Sequence, residues 1–259
     1  MIQLNNIVKR FNIATPDETT LFDGFNFHVD DGEFVSIIGS NGSGKTTMLN
    51  LICGSLRQEA GEIFVDGKDV TPLQEYKRSA FIGRVFQDPK MGTCSSLTIL
   101  ENMALADNKN KRYGLGRCVS KKRADYYKSL LSECGMGLEN KLGVPVGNLS
   151  GGQRQALALV IANMSDIKLL ILDEHTAALD PKSSEKIMEI TDRFVRERGI
   201  TTLMVTHNLR FAIEYGSRIV MMHEGKVVLD LKGQEKKDAE VSDLLKIFNS
   251  ISIEAGNSL

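Results

Sequence analysis

Glu33–Leu56, with the sequence EFVSIIGSNGSGKTTMLNLICGSL, is the stretch that decides the fold. Residues 33–38 form an apolar run that ends in Gly39 and is typical of a buried strand. Thr46–Leu56 carries apolar residues at helical spacing, and Gly54 loosens the end of this predicted helix. A strand, a glycine-rich loop and a helix in this order predict the start of an α/β core.

The loop between these two elements, GSNGSGKT, matches the pattern G-x-x-x-x-G-K-[ST]. Its glycines let the backbone curl so that N–H groups point at phosphate oxygens, and the helix start adds partial positive charge. Lys45 is suited to reach the β- and γ-phosphates of a nucleotide, and the Thr46 hydroxyl is suited to bind Mg²⁺. The alternative is a glycine-rich turn without a ligand. The residues predicted to contact nucleotide are Gly39, Ser40, Asn41, Gly42, Ser43, Gly44, Lys45, Thr46 and Thr47.

The chain has 259 residues, of which 42% are hydrophobic and 25% are charged, as in an ordinary globular protein. A net charge of −1 gives no general attraction to nucleic acid, so we expect no nucleic-acid partner. The four cysteines contain no C-x-x-C pair, which fits a reduced, cytoplasmic chain. There is no secretory signal and no run of 18 apolar residues, so any membrane part of a working assembly is expected on another chain.

The rest of the chain alternates strands and helices around a helical block. Residues 2–8 and 25–38 are predicted as strands split by a polar segment, with a hairpin at 61–70 and a strand at 81–86. Residues from about 88 to 165 are mostly helical in pattern. Strands at 168–174 and 201–207, a helix between them, a hairpin at 218–230 and a short amphipathic tail helix follow. The pattern predicts a parallel α/β core with an antiparallel β layer and an inserted helical block.

Polar residues follow three of the predicted buried strands. Asp173 and Glu174 end the strand KLLILDE, where Asp173 is suited to hold Mg²⁺ and Glu174 to polarise an attacking water. Gln87 follows the strand at 81–86 and could touch the metal or that water. His207 ends TTLMVTH and could donate a hydrogen bond to a γ-phosphate. Solvated acids at a strand end, an ordinary polar residue and a structural histidine are the respective alternatives.

A second anion-binding helix start is predicted at Leu149–Gln155, LSGGQRQ. Ser150 is a hydroxyl N-cap, and Gly151 and Gly152 leave the first N–H groups of the helix open. The chain already has a phosphate loop about a hundred residues upstream, so the ligand of the second helix start needs another explanation.

This set of motifs resembles the nucleotide-binding subunit of ATP-binding-cassette (ABC) transporters of the bacterial importer type. The set consists of the phosphate loop, Gln87, LSGGQ, Asp173-Glu174, ALD at 178–180 and His207. The resemblance covers residues 2 to about 230. It implies a P-loop NTPase fold in one domain, residues 1–259. Residues 1–87 and 166–230 would form the core with its β layer, about 88–165 the helical subdomain, and 231–259 a tail.

The resemblance implies ATP and Mg²⁺ as cofactors, with Thr46, Gln87 and Asp173 as the metal ligands. It implies Glu174, His207, Lys45 and Gln87 as the catalytic residues. It also answers the question that LSGGQ raises, because in this family two copies pack head to tail. Ser150, Gly151, Gly152 and Gln153 would then cover the ATP bound by a second copy. An integral membrane permease and, indirectly, a solute-binding protein are the implied partners, with the subunit on the inner face of the cell membrane.

Three features depart from the family pattern or leave alternatives open. Phe11 stands where the family often has an aromatic that stacks on adenine, and a packing role is the alternative. His175 replaces the frequent proline after the catalytic acid and is interpreted as a loop residue contacting the partner subunit or water, with a second catalytic group beside Glu174 as the alternative. The basic segment 109–123 is interpreted as a solvated loop rather than a nucleic-acid surface.

The implied function is ATP hydrolysis that drives import of a solute, for which an amino acid is one hypothesis, through a separate permease. A soluble ABC ATPase in DNA repair or translation is one alternative, although such proteins usually fuse two cassettes or insert a coiled coil. A kinase that phosphorylates a small molecule is another, and the LSGGQ stretch and Glu174 argue against it.

Overall fold

The computed structural model describes residues 1–109 and 118–254, and these form two compact units. The first unit combines Met1–Arg78 with the chain from Gly199 onward, and the second unit is Ser79–Arg198. The predicted division into a core, a helical subdomain from about 88 to 165 and a tail stays a prediction. Eight residues of the basic segment, 110–117, lie outside the described residues.

The strands and helices formed by the described residues are numbered in chain order over both units. Those of the first unit are given first. They are β1 (Ile2–Phe11), β2 (Thr19–Val29), β3 (Phe34–Gly39), α1 (Lys45–Cys53), β4 (Ala60–Val65), β5 (Lys68–Asp69), α2 (Glu75–Arg78), β8 (Thr201–Val205), α7 (Leu209–Glu214), β9 (Arg218–His223), β10 (Lys226–Lys232), α8 (Gly233–Asp238) and α9 (Val241–Glu254). The second unit contains β6 (Ile82–Val85), α3 (Ile99–Asp107), α4 (Ala124–Ser132), α5 (Gly151–Ala162), β7 (Leu169–Asp173) and α6 (Pro181–Arg198).

The predicted antiparallel β layer is present in the first unit, in the strand order β2-β1-β4-β5. On β1, Ile2, Leu4 and Ile7 are fully buried. The pairing register between β1 and β2 shifts between Leu4 and Ile7, where Asn6 adopts a positive φ of 50°. The extra residue lets both ends of the strand keep their apolar side chains on the buried face.

A second set of strands in the first unit carries the phosphate loop. β3 lies between β8 and β9 and pairs with both in parallel, with Val35 opposite Leu203 and Ser36 opposite Ile219. All six residues of β3 are buried, as expected for a strand covered on both faces. β10 returns antiparallel to β9, which is the predicted hairpin.

The prediction of one strand over residues 25–38 is wrong, because the chain turns at Asp30–Glu33. Asp30 N–H donates to the Glu33 carboxylate at 3.0 Å, and Glu33 N–H donates to the Asp30 carbonyl at 3.3 Å. Gly32 takes a φ of +69° at this turn. The sequence DDGE has the composition of a turn, and this signal outweighs the apolar residues on both sides of it.

The helix that follows the phosphate loop ends three residues earlier than predicted, at Cys53. Gly54 is left-handed and donates its N–H to the carbonyls of Asn50 and Leu51. The Arg78 guanidinium donates to the carbonyls of Leu51 and Ile52 at 2.7 and 2.9 Å, and it also contacts two carbonyls of the 71–73 loop. A buried arginine, 1% exposed, therefore caps the last turn of α1.

Replacing Arg78 by Met is expected to lower the free energy of unfolding by about 3 kcal/mol. The apolar chain keeps most of the volume, but the buried carbonyls lose charge-assisted donors. The shift in melting temperature of the variant is the measurement. Lys77→Met, on an exposed neighbour in the same helix, is the control. Equal shifts in the two variants would contradict the capping role.

Within its described residues, the second unit combines a parallel strand pair with the four helices α3, α4, α5 and α6. β6 pairs with β7, with Arg84 opposite Ile171. α3 begins at a capping box in which Thr98 and Glu101 bond reciprocally. A short 3₁₀ turn at Lys121–Arg123 leads into α4.

The predicted tail helix is present as α9 and joins the core of the first unit. Leu244 is fully buried in a cluster with Ile38, Ala212, Ile219 and Met221. Ile38 belongs to the strand that leads into the phosphate loop, so the tail packs directly behind this loop. Within residues 1–109 and 118–254, no helix has the length and apolar character needed to cross a bilayer.

Candidate functional site

The phosphate loop follows β3 and requires glycine at both of its ends. Gly39 has a φ of +151°, and a Cβ there would lie 2.2 Å from the Met222 carbonyl oxygen. Gly44, at a φ of +102°, is the N-cap of α1, and no side chain caps the helix there. The first N–H groups of α1 are therefore not capped by a protein side chain, as an anion-binding helix start requires.

The Lys45 side chain folds back onto the phosphate loop. Its ammonium group donates to the carbonyls of Gly39 and Ser40 at 2.7 and 2.8 Å, and the residue is 5% exposed. Thr46 is exposed, and Thr47 is half-buried. The loop thus holds a fixed positive charge beside a helix start that no side chain caps, an arrangement that favours phosphate.

His207 shares a pocket of about 550 Å³ with the phosphate loop. Its lining residues are Ile38, Gly39, Ser40, Asn41, Thr206, His207, Leu209, Leu245, Phe248 and Asn249. Two parallel neighbouring strands, β3 and β8, end at this pocket. Three residues of α9, Leu245, Phe248 and Asn249, also line the pocket, although no sequence motif marks them as site residues.

Phe11, the predicted adenine contact, lies at the end of β1 and is 36% exposed. The Lys9 ammonium lies 5.2 Å from its ring centroid and also pairs with Glu59 at 2.6 Å. Phe11 does not line the pocket that holds His207. Its role toward adenine stays a prediction.

In the second unit, Asp173 ends β7 and Gln87 follows the parallel neighbour β6. The carboxyl ends of neighbouring parallel strands lie at one sheet edge, where ligands bind in α/β proteins. Gln87 is exposed there, and Phe86 before it accepts a hydrogen bond from the buried Gln155 of α5 at 3.1 Å. The segment that carries Gln87 is therefore connected to the LSGGQ helix α5.

Arg84 of β6 pairs with Asp173, a contact that the sequence analysis missed. Its guanidinium donates to Asp173 Oδ2 at 2.7 Å, with both side chains mostly buried at 13 and 14% exposure. The guanidinium carbon also lies 4.7 Å from the centroid of the Phe86 ring. A charged residue inside a buried strand is itself a signal for a charged partner, although it does not say which.

Glu174 follows Asp173 in a left-handed backbone conformation, with a φ of 48°. Its carbonyl accepts the Ala177 N–H at 2.9 Å, which closes a tight turn. A non-glycine residue in this region carries backbone strain of about 1 kcal/mol or more. Such strain is typical of positions where the direction of a side chain matters for function.

His175 is buried, so its interpretation as a loop residue contacting a partner or water is wrong. It is 2% exposed, and burial lowers its pKa to about 4. Its Nε2 lies 3.4 Å from the Thr191 hydroxyl, which itself donates to the Ile187 carbonyl. A neutral imidazole therefore anchors the turn after Glu174 to α6.

The LSGGQ stretch begins α5 as predicted. Ser150 Oγ accepts the Gln153 N–H at 3.3 Å, and the Gln153 side chain accepts the Ser150 N–H at 3.4 Å. Gln153 also donates to the Met136 carbonyl at 3.2 Å. Ser150 and Gly151 are exposed, whereas Gly152 is buried beside Ser183. A rigid capping box thus presents the start of a helix to solvent.

The chain matches the model of the ABC transporter family over residues 22–177. This range includes the phosphate loop, Gln87, LSGGQ and the two strand-end carboxylates. The chain therefore belongs to the ABC transporter family, and it is an ATPase of the ATP-binding-cassette fold.

Individual relatives are named as importer or transport ATP-binding subunits. A protein of Clostridioides difficile (strain R20291), named tyrosine transport ATP-binding protein, is 47% identical over 96% of this chain and 98% of its own length. The phosphonates import ATP-binding protein PhnC 2 of Oceanobacillus iheyensis is 32% identical over 89% of each chain. The cassette MJ0796, solved as a post-hydrolysis dimer with ADP and phosphate, matches with a TM-score of 0.76 at 31% identity, over 90% of this chain and 98% of its own.

Proposed function

We propose that this protein is the ATP-hydrolysing subunit of a multi-component importer and drives solute uptake through a separate permease. The observation that carries the proposal is the phosphate loop, where the Lys45 ammonium contacts the Gly39 and Ser40 carbonyls beside a helix start that no side chain caps. The near full-length similarity to a tyrosine transport ATP-binding protein supports a transport role, and the similarity to a phosphonates import ATP-binding protein supports import. The tyrosine transport relative makes an amino acid the first solute to test.

Nucleotide binding is assigned to Gly39–Thr47, with Phe11 against the adenine. Open N–H groups of the loop and the Lys45 ammonium would neutralise the β- and γ-phosphates. Thr46, Gln87 and Asp173 offer a hydroxyl, an amide and a carboxylate, which are oxygen donors of the kind that Mg²⁺ prefers. Asp173 already binds a cation, the Arg84 guanidinium, so its carboxylate fits a positively charged ligand. Bound Mg²⁺ would supply charge neutralisation on the phosphates.

Hydrolysis is assigned to Glu174, which would polarise a water for in-line attack on the γ-phosphate. Lys45 and His207 would stabilise the charge that develops on the phosphoryl oxygens. His207 and the loop residues Ser40 and Asn41 line one pocket, which supports this role. Gln87 would contact the metal or the water.

We assign Ser150, Gly151, Gly152 and Gln153 to the ATP of a second copy. The exposure of Ser150 and Gly151 at the start of α5 supports this, because the positive end of an exposed helix is suited to an external anion. The relative MJ0796 was solved as a dimer. In the proposed head-to-tail dimer each ATP lies between the phosphate loop of one copy and LSGGQ of the other.

The permease would dock on the helical block of about 88–165, next to Gln87. Closure of two cassettes around ATP would then be transmitted to the membrane through the Gln155 contact with Phe86. In this arrangement the subunit lies on the inner face of the cell membrane, and a solute-binding protein delivers the solute outside.

Reconstitution of this chain with its permease in proteoliposomes tests the proposal. We expect uptake of labelled tyrosine, with a solute-binding protein present outside, only when ATP is on the cassette side. Vesicles with permease alone are the control. Rapid hydrolysis that neither depends on a permease nor drives uptake would overturn the importer role. Transfer of phosphate to a small molecule would point to a kinase.

A further inference from the structure

Asp173, the proposed metal ligand, already forms an ion pair with the Arg84 guanidinium. The two groups are 2.7 Å apart and mostly withdrawn from water, where charge interactions are stronger than on an open surface. Stacking on Phe86 and the strand register opposite Ile171 fix Arg84 in place. The pair is therefore a defined feature of the second unit rather than a surface contact.

We propose that Arg84 competes with the divalent cation for Asp173 and so sets the metal affinity of the nucleotide site. This inference rests on the proposed function, in which Asp173 is a metal ligand. A divalent cation must either displace the guanidinium or bind beside it, and both cost free energy. The phosphates of a nucleotide add negative charge that offsets this cost. Arg84 therefore makes the site bind metal together with nucleotide rather than metal alone.

Replacing Arg84 by Met should tighten metal binding. Met keeps a long apolar chain over Phe86 but removes the charge, so Asp173 is left without its cation. We expect the affinity for Mn²⁺ alone, read from the electron paramagnetic resonance signal of free Mn²⁺, to rise about tenfold, equivalent to about 1.4 kcal/mol. The metal concentration that half-saturates binding of a fluorescent, non-hydrolysable ATP analogue should fall in parallel.

Matched variants separate charge from other effects. Arg84→Lys keeps the charge and should stay within about threefold of the wild type, because metal repulsion depends on charge more than on geometry. Lys168→Met removes a cation from an exposed pair with Asp166 in the same unit and should have no effect. Arg84→Gln provides a second neutral variant should Arg84→Met not fold.

A double variant and the single Asp173→Asn variant together distinguish failure of the Arg84 inference from failure of the proposed metal role of Asp173. Adding Asp173→Asn to Arg84→Met should abolish the gain, since the two residues act on the same metal. If Asp173→Asn weakens Mn²⁺ binding but neutral Arg84 variants do not tighten it, Arg84 is no competitor and the inference is overturned. If Asp173→Asn leaves Mn²⁺ binding unchanged, the proposed metal role of Asp173 fails instead, and the Arg84 inference fails with it.

Discussion

Replacing Glu174 by Gln is expected to slow ATP hydrolysis by about 10²–10⁴-fold while ATP binding is retained. Gln has nearly the shape of Glu but cannot accept a proton from water. The left-handed backbone at this position, held by the Ala177 hydrogen bond, should accept either side chain equally. The variant should therefore lose chemistry and keep its structure.

Two measurements check this result. Phosphate release gives the hydrolysis rate, and binding of labelled ATP gives the affinity. Because hydrolysis would otherwise reopen the dimer, the variant should also accumulate as an ATP-bound dimer in light scattering after gel filtration. Glu197→Gln, on an exposed residue of α6, is the control and should hydrolyse ATP normally. Near-normal turnover by the Glu174 variant would remove Glu174 from its assigned role.

The sequence was most informative where chemistry depends on consecutive residues. The phosphate loop, the buried strand before it and the capping box at Ser150 all follow from local patterns, since each of them is built within one short segment. The turn at Asp30–Glu33 is also encoded locally, by the residues DDGE, although apolar runs on both sides predict a continuous strand. Turn-forming residues therefore break a strand even where the hydrophobic pattern continues on both sides.

Contacts between distant residues could not be predicted in this way. Arg84 and Asp173 are 89 residues apart, and Arg78 reaches carbonyls 26 and 27 residues upstream. His175 is interpreted from the sequence as a loop residue contacting the partner subunit or water, yet it is buried against Thr191 of α6. Such long-range ion pairs and hydrogen bonds depend on how the strands and helices pack. The local sequence around each charged residue does not specify its partner.

Replacing Ser150 by Arg is expected to block ATP-dependent dimerisation while each monomer still binds nucleotide. The N-cap hydrogen bond to Gln153 is lost, which costs about 1 kcal/mol of helix stability. A long side chain would also fill the space in front of the exposed helix start, where a phosphate of the second copy must approach. The phosphate loop is in the other unit of the chain and keeps its contacts.

The sharpest measurement uses the Glu174→Gln background, in which the ATP-bound dimer should persist. With ATP present, light scattering should show a dimer for the Glu174→Gln protein and only monomer once Ser150→Arg is added. This result corresponds to a loss of at least about 100-fold in dimer affinity, or about 2.7 kcal/mol. Ser150→Ala removes the cap without adding bulk and should weaken the dimer less. Ser132→Arg, on an exposed serine at the end of α4, should leave it intact. A Ser150→Arg protein that still dimerises with ATP would mean that LSGGQ binds something other than the nucleotide of a second copy.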